Sequence, residues 1–144
     1  MIRYIVGGFA FLLAVVSISA DEKKDATELQ GTWVFVSVKE KGKDEPLPDK
    51  STPEFIFTKD RLQVFFDGKK VKDHQIKVDA TKTPKQIDIL GERDDPRDDL
   101  GIYKIEGDTL TIASARGENA RPKDFSGKSD KETLVVAVRK KDKK

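Results

Sequence analysis

The chain has 144 residues, a net charge of +2 and no cysteine, and 38% of its residues are charged. Disulfides, thiol chemistry and a cysteine lipid anchor are excluded, and the near balance of signs gives no global field that would favour nucleic acid. A folded domain of this length must be held by its core alone.

Residues 1–20 read as a secretory signal. Arg3 is a short basic start, Tyr4 to Val16 is apolar, and Ser17-Ile18-Ser19-Ala20 offers small residues for cleavage after Ala20. The apolar run is shorter than the roughly 20 residues a spanning helix needs, so no stable membrane span is expected after cleavage. Removing Arg3 with the signal leaves 27 basic against 26 acidic side chains, a net of +1. The expected location is periplasmic or extracellular.

Residues 21–28 are a charged linker, with a helical turn expected over Ala26 to Gln30. Trp33 to Lys39 is rich in β-branched and aromatic residues and opens the first strand. Lys41 to Pro53 carries Pro46, Pro48 and Pro53 and reads as a loop. Glu54 to Thr58 is the second strand, with Phe55 and Phe57 on one face. Lys59-Asp60 is a tight turn.

Arg61 to Phe66 forms the third strand, with Leu62, Val64 and Phe66 alternating. Asp67-Gly68 is a strong hairpin signal, because a primed turn needs positive φ. Lys69 to Val78 is the fourth strand, and His74, Ile76 and Val78 share a face. Lys85 to Leu90 is the fifth, Leu100 to Ile105 the sixth and Thr109 to Ala115 the seventh. Arg116 to Lys131 is a long loop of 16 residues. Glu132 to Arg139 is the eighth strand, and residues 140–144 are a basic tail. Eight short strands in meander order predict an all-β fold, a single eight-stranded antiparallel up-and-down barrel spanning residues 29–139. Closure would remove edge strands. The interior of such a barrel can be filled or can hold one small ligand.

Five motifs occur here in one order. They are Leu29-Gln30-Gly31-Thr32-Trp33, Pro84-Lys85-Gln86-Ile87-Asp88, Gly101-Ile102-Tyr103, Gly107-Asp108-Thr109-Leu110 and Arg121-Pro122-x-x-Phe125. Together they resemble a lipocalin-like domain family of unknown function found mainly in planctomycete bacteria, over about Leu29 to Arg139. That family often has a cysteine near position 113, where this chain has Ala113. The resemblance implies a barrel that starts at Gly31 and Trp33. It also implies an arginine near the end of the last strand covering the tryptophan ring, with Arg139 as the match and Arg121 as the alternative. It brings no established reaction.

The candidate residues follow. Gly31, Trp33 and Arg139 are expected to form a structural plug. Phe35, Phe55, Phe57, Phe65, Phe66 and Tyr103 either line an apolar pocket or fill the core. Arg121 and Phe125, in the long loop, are expected to dock back, with Phe125 capping the barrel as a plug or a ligand gate. His74, the only histidine, lacks a partner imidazole, so no metal site is expected there. Asp94-Asp95-Pro96-Arg97-Asp98-Asp99 has carboxylates but not the spacing of a calcium loop. No catalytic constellation and no cofactor site is expected. Two functions stay open: a monomeric binding module for a small apolar or amphipathic ligand, and a non-catalytic interaction domain with a filled barrel at the cell envelope.

Overall fold

The computed structural model describes residues 27–48 and 51–141. The signal segment, most of the linker and the last three residues of the tail lie outside them. Among the described residues no helix is long and apolar enough to cross a membrane.

The fold is all-β. Its strands are β1 (Gly31–Glu40), β2 (Lys43–Glu45), β3 (Glu54–Thr58), β4 (Arg61–Phe66), β5 (Lys69–Asp79), β6 (Lys85–Ile89), β7 (Asp99–Glu106), β8 (Thr109–Arg116) and β9 (Glu132–Arg139). From β3 to β9 each strand pairs antiparallel with the next, and β1 pairs with both β3 and β9. Eight strands thus close into an antiparallel barrel, as the strand spacing predicts. A ninth, β2, is an addition.

The addition corrects one expectation. Lys41 to Pro53 is not all loop, because its first residues fold back as β2 onto the end of β1. Lys41 and Gly42 both take positive φ, 53° and 79°, which is the backbone of a primed two-residue turn. The three prolines all lie after this hairpin. Lys41 is not a residue that advertises such a turn, so the signal was weak. At Asp67-Gly68 the same turn is made by the residue pair that favours it, with φ of 55° and 75°.

β1 must serve three neighbours. Gly31 to Val34 pair with β3, Val38 to Glu40 with β2, and Trp33 to Glu40 with β9 on the other edge. The register slips between Phe35 and Ser37, a bulge that bends the strand as it passes from one neighbour to the other.

Alternation along the strands sends one set of side chains inward. Leu29, Trp33, Phe57, Leu62, Ile87, Tyr103 and Leu110 are each at most 2% exposed. They fill the end of the barrel where β1 begins. The helical turn at Thr27–Leu29 closes that end. At the opposite end, where β1 finishes and β8 delivers Arg116, the inward residues Phe35, Val38, Val64 and Ile89 are only partly buried. Val78 and Ile105 are also only partly buried at the Trp33 end, and a hollow of about 100 Å³ lies there beside Leu29, Ile76 and Val78. That end is densely packed around Trp33 without being fully sealed, and the mouth is looser.

Candidate functional site

The packed end is built around Trp33, which is fully buried. Its indole Nε1 donates to the Leu29 carbonyl at 2.9 Å, so its one polar atom is satisfied. The Arg139 guanidinium lies over the ring, 4.2 Å from its centre. The same guanidinium donates to the carbonyls of Gln30 at 2.9 Å and Glu28 at 2.6 Å. It thus ties the end of β9 to the segment before β1. Gly31 leaves room for it: a Cβ there would sit 3.1 Å from Arg139 Nη1. This end is a structural closure.

Arg121 lies elsewhere. Its Nη1 is 2.6 Å from Asp88 Oδ1 and donates to the Gly101 carbonyl at 2.8 Å. Asp88 pairs with Leu100 on the face opposite to Ile87, so this contact is on the outside of the barrel. Phe125 does not cap the barrel. Its ring sits under Lys104 Nζ, 4.9 Å from the ring centre, also on the outer face. The physical reason lies in β7 and β8. Their outward residues Ile102, Ala113 and Ala115 are apolar or small, and the loop covers them until each is at most 2% exposed. The long loop is a strap over the outer wall, with Pro122 and Gly127 buried against it. A polar groove of about 560 Å³ runs between the strap and the start of β9, past Asp124 and Glu132. Burial first, and the nearby Asp124 carboxylate second, push the Glu132 carboxyl above its ordinary value.

The aromatic candidates do not converge on one pocket. Phe35, Phe55 and Phe57 form a chain of ring contacts, at 4.4 Å and 5.9 Å between centres. Tyr103 is packed in the core at 1% exposure. Phe66 is exposed at the β4–β5 hairpin, and Phe65 is half-buried beside it.

The mouth holds residues that sequence reading left in the background. Lys72, His74, Ile89, Asp99 and Arg116 have the strand parity of Ile76, Ile87, Tyr103 and Ile112, so they face the lumen. With the 90–97 loop they enclose a cavity of about 140 Å³. Ile89, which faces the lumen, and Leu90 are the apolar residues of its lining. His74 Nδ1 lies 3.0 Å from the Leu90 carbonyl, so in the neutral ring Nδ1–H is the donor and Nε2 is left as an acceptor. Glu92 Oε1 is 3.8 Å from the same nitrogen.

The acidic loop is pinned rather than open. Arg97 grips Asp95 with two nitrogens, at 2.9 Å and 3.2 Å. Arg116 reaches Asp95 at 3.6 Å and Asp99 at 3.3 Å. The hydrogen bond from Arg97, aided by the charges of Arg97 and Arg116, holds the Asp95 carboxyl down at about 2. Asp98 accepts from the Gly91 amide at 2.9 Å. Among the described residues no group of three or more His, Asp or Glu side chains is placed to hold a metal ion. The signal that could have found the mouth is parity alone: charged residues at inward positions near strand ends.

Compared with known protein families, curated proteins and solved structures, the chain matches none.

Proposed function

We propose that the chain is an exported, non-catalytic barrel of the lipocalin-like kind that binds a small apolar or amphipathic molecule at its mouth. The observation that carries this reading is the asymmetry of the interior. The fully buried large side chains cluster around Trp33, with Val78 and Ile105 partly exposed beside them, whereas Phe35, Val38, Val64 and Ile89 stay partly exposed toward the other end, where charged residues line a cavity. Charged groups stand beside the apolar residues there, which suits a ligand with an apolar body and a polar end. The cavity volume of about 140 Å³ sets the size. It is close to the ~150 Å³ that accepts benzene and below the roughly 300 Å³ of drug-sized pockets. Export is supported by residues 1–20, and the family reading by the five ordered motifs from Leu29 to Phe125.

Native mass spectrometry of the protein purified from its own envelope tests this. A co-purifying small molecule is the expected result. A clean apo mass with no response to panels of small apolar ligands would favour the second reading, a filled barrel acting through its surface. That reading draws on the near-complete burial of Trp33, Phe57, Leu62 and Tyr103.

A further inference from the structure

The charges around the mouth divide into two kinds. Asp95, Asp99, Arg97 and Arg116 satisfy one another in a closed network of ion pairs. Three charges on the same cavity wall stand outside it. Lys72 has no hydrogen bond or ion pair with a described residue, and the same holds for Asp94. Glu92 faces only His74, at 3.8 Å. Lys72 comes from β5, opposite Val64, while Glu92 and Asp94 come from the loop after β6. Ile89 and Leu90 are the apolar residues lining the same cavity.

An anionic ligand would find one uncommitted cation and two uncommitted carboxylates that repel it. A simple amine would meet the reverse conflict at Lys72. A molecule carrying both charges removes both conflicts. From this we propose that the mouth takes a small apolar zwitterion, of the size and kind of an apolar α-amino acid, and the proposal rests on the mouth-binding reading above. Its carboxylate faces Lys72, its ammonium faces Glu92 and Asp94, and its side chain rests on Ile89. Where the His74 ring is neutral, its Nε2 is a further acceptor for the ammonium. A volume of about 140 Å³ admits one such molecule and no long chain.

The test uses three ligands with related alkyl groups: leucine, 4-methylpentanoate and 3-methylbutylamine. Each is titrated into the methyl-labelled exported chain and followed by NMR at Ile89 and Leu90, with toluene as a neutral control. The expected result is saturable shifts with leucine, and affinities about fivefold weaker for each singly charged analogue, the scale of one partly exposed ion pair. Lys72→Gln should reduce leucine to the level of the amine, and the paired change Glu92→Gln with Asp94→Asn should reduce it to the level of the acid. Lys72, Glu92 and Asp94 are exposed, so these variants keep the fold. If an analogue binds as tightly as leucine, or Lys72→Gln changes nothing, the zwitterion assignment is wrong. If toluene alone binds at the mouth, the assignment also fails while the mouth-binding reading stands. If none of the four moves Ile89 or Leu90, both fall.

Discussion

Arg139, the last residue of β9, lies with its guanidinium 4.2 Å from the centre of the Trp33 ring, near the start of β1. This contact joins the two strands that close the barrel, and it does so beside the helical turn at that end. Burying an indole and placing a cation over it act on the same junction. Trp33→Ala is expected to cost about 3–5 kcal/mol through the cavity it leaves. Arg139→Ala is expected to cost about 1–3 kcal/mol, from the stacking and the two bonds to the Gln30 and Glu28 carbonyls. Urea unfolding measures both. An unchanged midpoint for Trp33→Ala would remove Trp33 from its role as the plug.

Gly31 gives a smaller but sharper test. Its φ is +115°, a conformation that disfavours side chains, and an added Cβ would press on Arg139 Nη1. Gly31→Ala should therefore destabilise by about 1–3 kcal/mol. In the Arg139→Ala background the steric part disappears and only the backbone strain remains. A double-mutant cycle that shows no coupling would contradict the contact.

How far the sequence could be read follows from these residues. Alternation at Arg61–Phe66 and Glu132–Arg139, with the Asp67-Gly68 turn, located those strands at the boundaries the structure has. Local chemistry determines such features. β2 is not legible in the sequence because its turn begins with Lys41, whose positive φ is imposed by the chain and not advertised by the residue. The sequence shows the strap as a loop but not the path it takes. The wall it covers, Ile102, Ala113 and Ala115, lies on β7 and on β8 just before it, and only the register of those strands shows that these side chains face outward. Trp33 stood out by its type, whereas the mouth residues Lys72 and Arg116 are charged residues among many. Only the barrel's register turns them inward.

The strap is held by the Arg121–Asp88 contact at its middle. Arg121→Ala leaves a half-buried carboxylate and the Gly101 carbonyl without this donor. The expected cost is about 1–3 kcal/mol. Hydrogen exchange at Ser126 to Ser129 should accelerate more than at Leu110 or Ala137, because the strap opens locally before the barrel does. Uniform acceleration across all strands would contradict a separately opening strap.

Asp95 makes the mouth sensitive to acid. Its carboxyl titrates at about 2, below the ordinary 3.8, chiefly through the Arg97 hydrogen bond. A group depressed in the folded state contributes its stability above the unfolded value and loses it as pH falls through the folded one. The loop after β6 should therefore keep its structure at pH 5 and loosen between about pH 4 and pH 2. Arg97→Gln should raise the Asp95 midpoint toward 3.8. Carboxyl NMR reads that midpoint directly. An Asp95 midpoint unmoved by Arg97→Gln would contradict the assigned cause.

The proposed function requires an interior that is packed around Trp33 and receptive at the mouth. Methyl NMR of the exported chain, titrated with toluene, tests it most directly. Saturable shifts are expected at Ile89 and Leu90, with Ile87, Leu110 and Ile112 unmoved. Shifts centred on Ile87 and Leu110, or no saturable shift at any methyl, would contradict it.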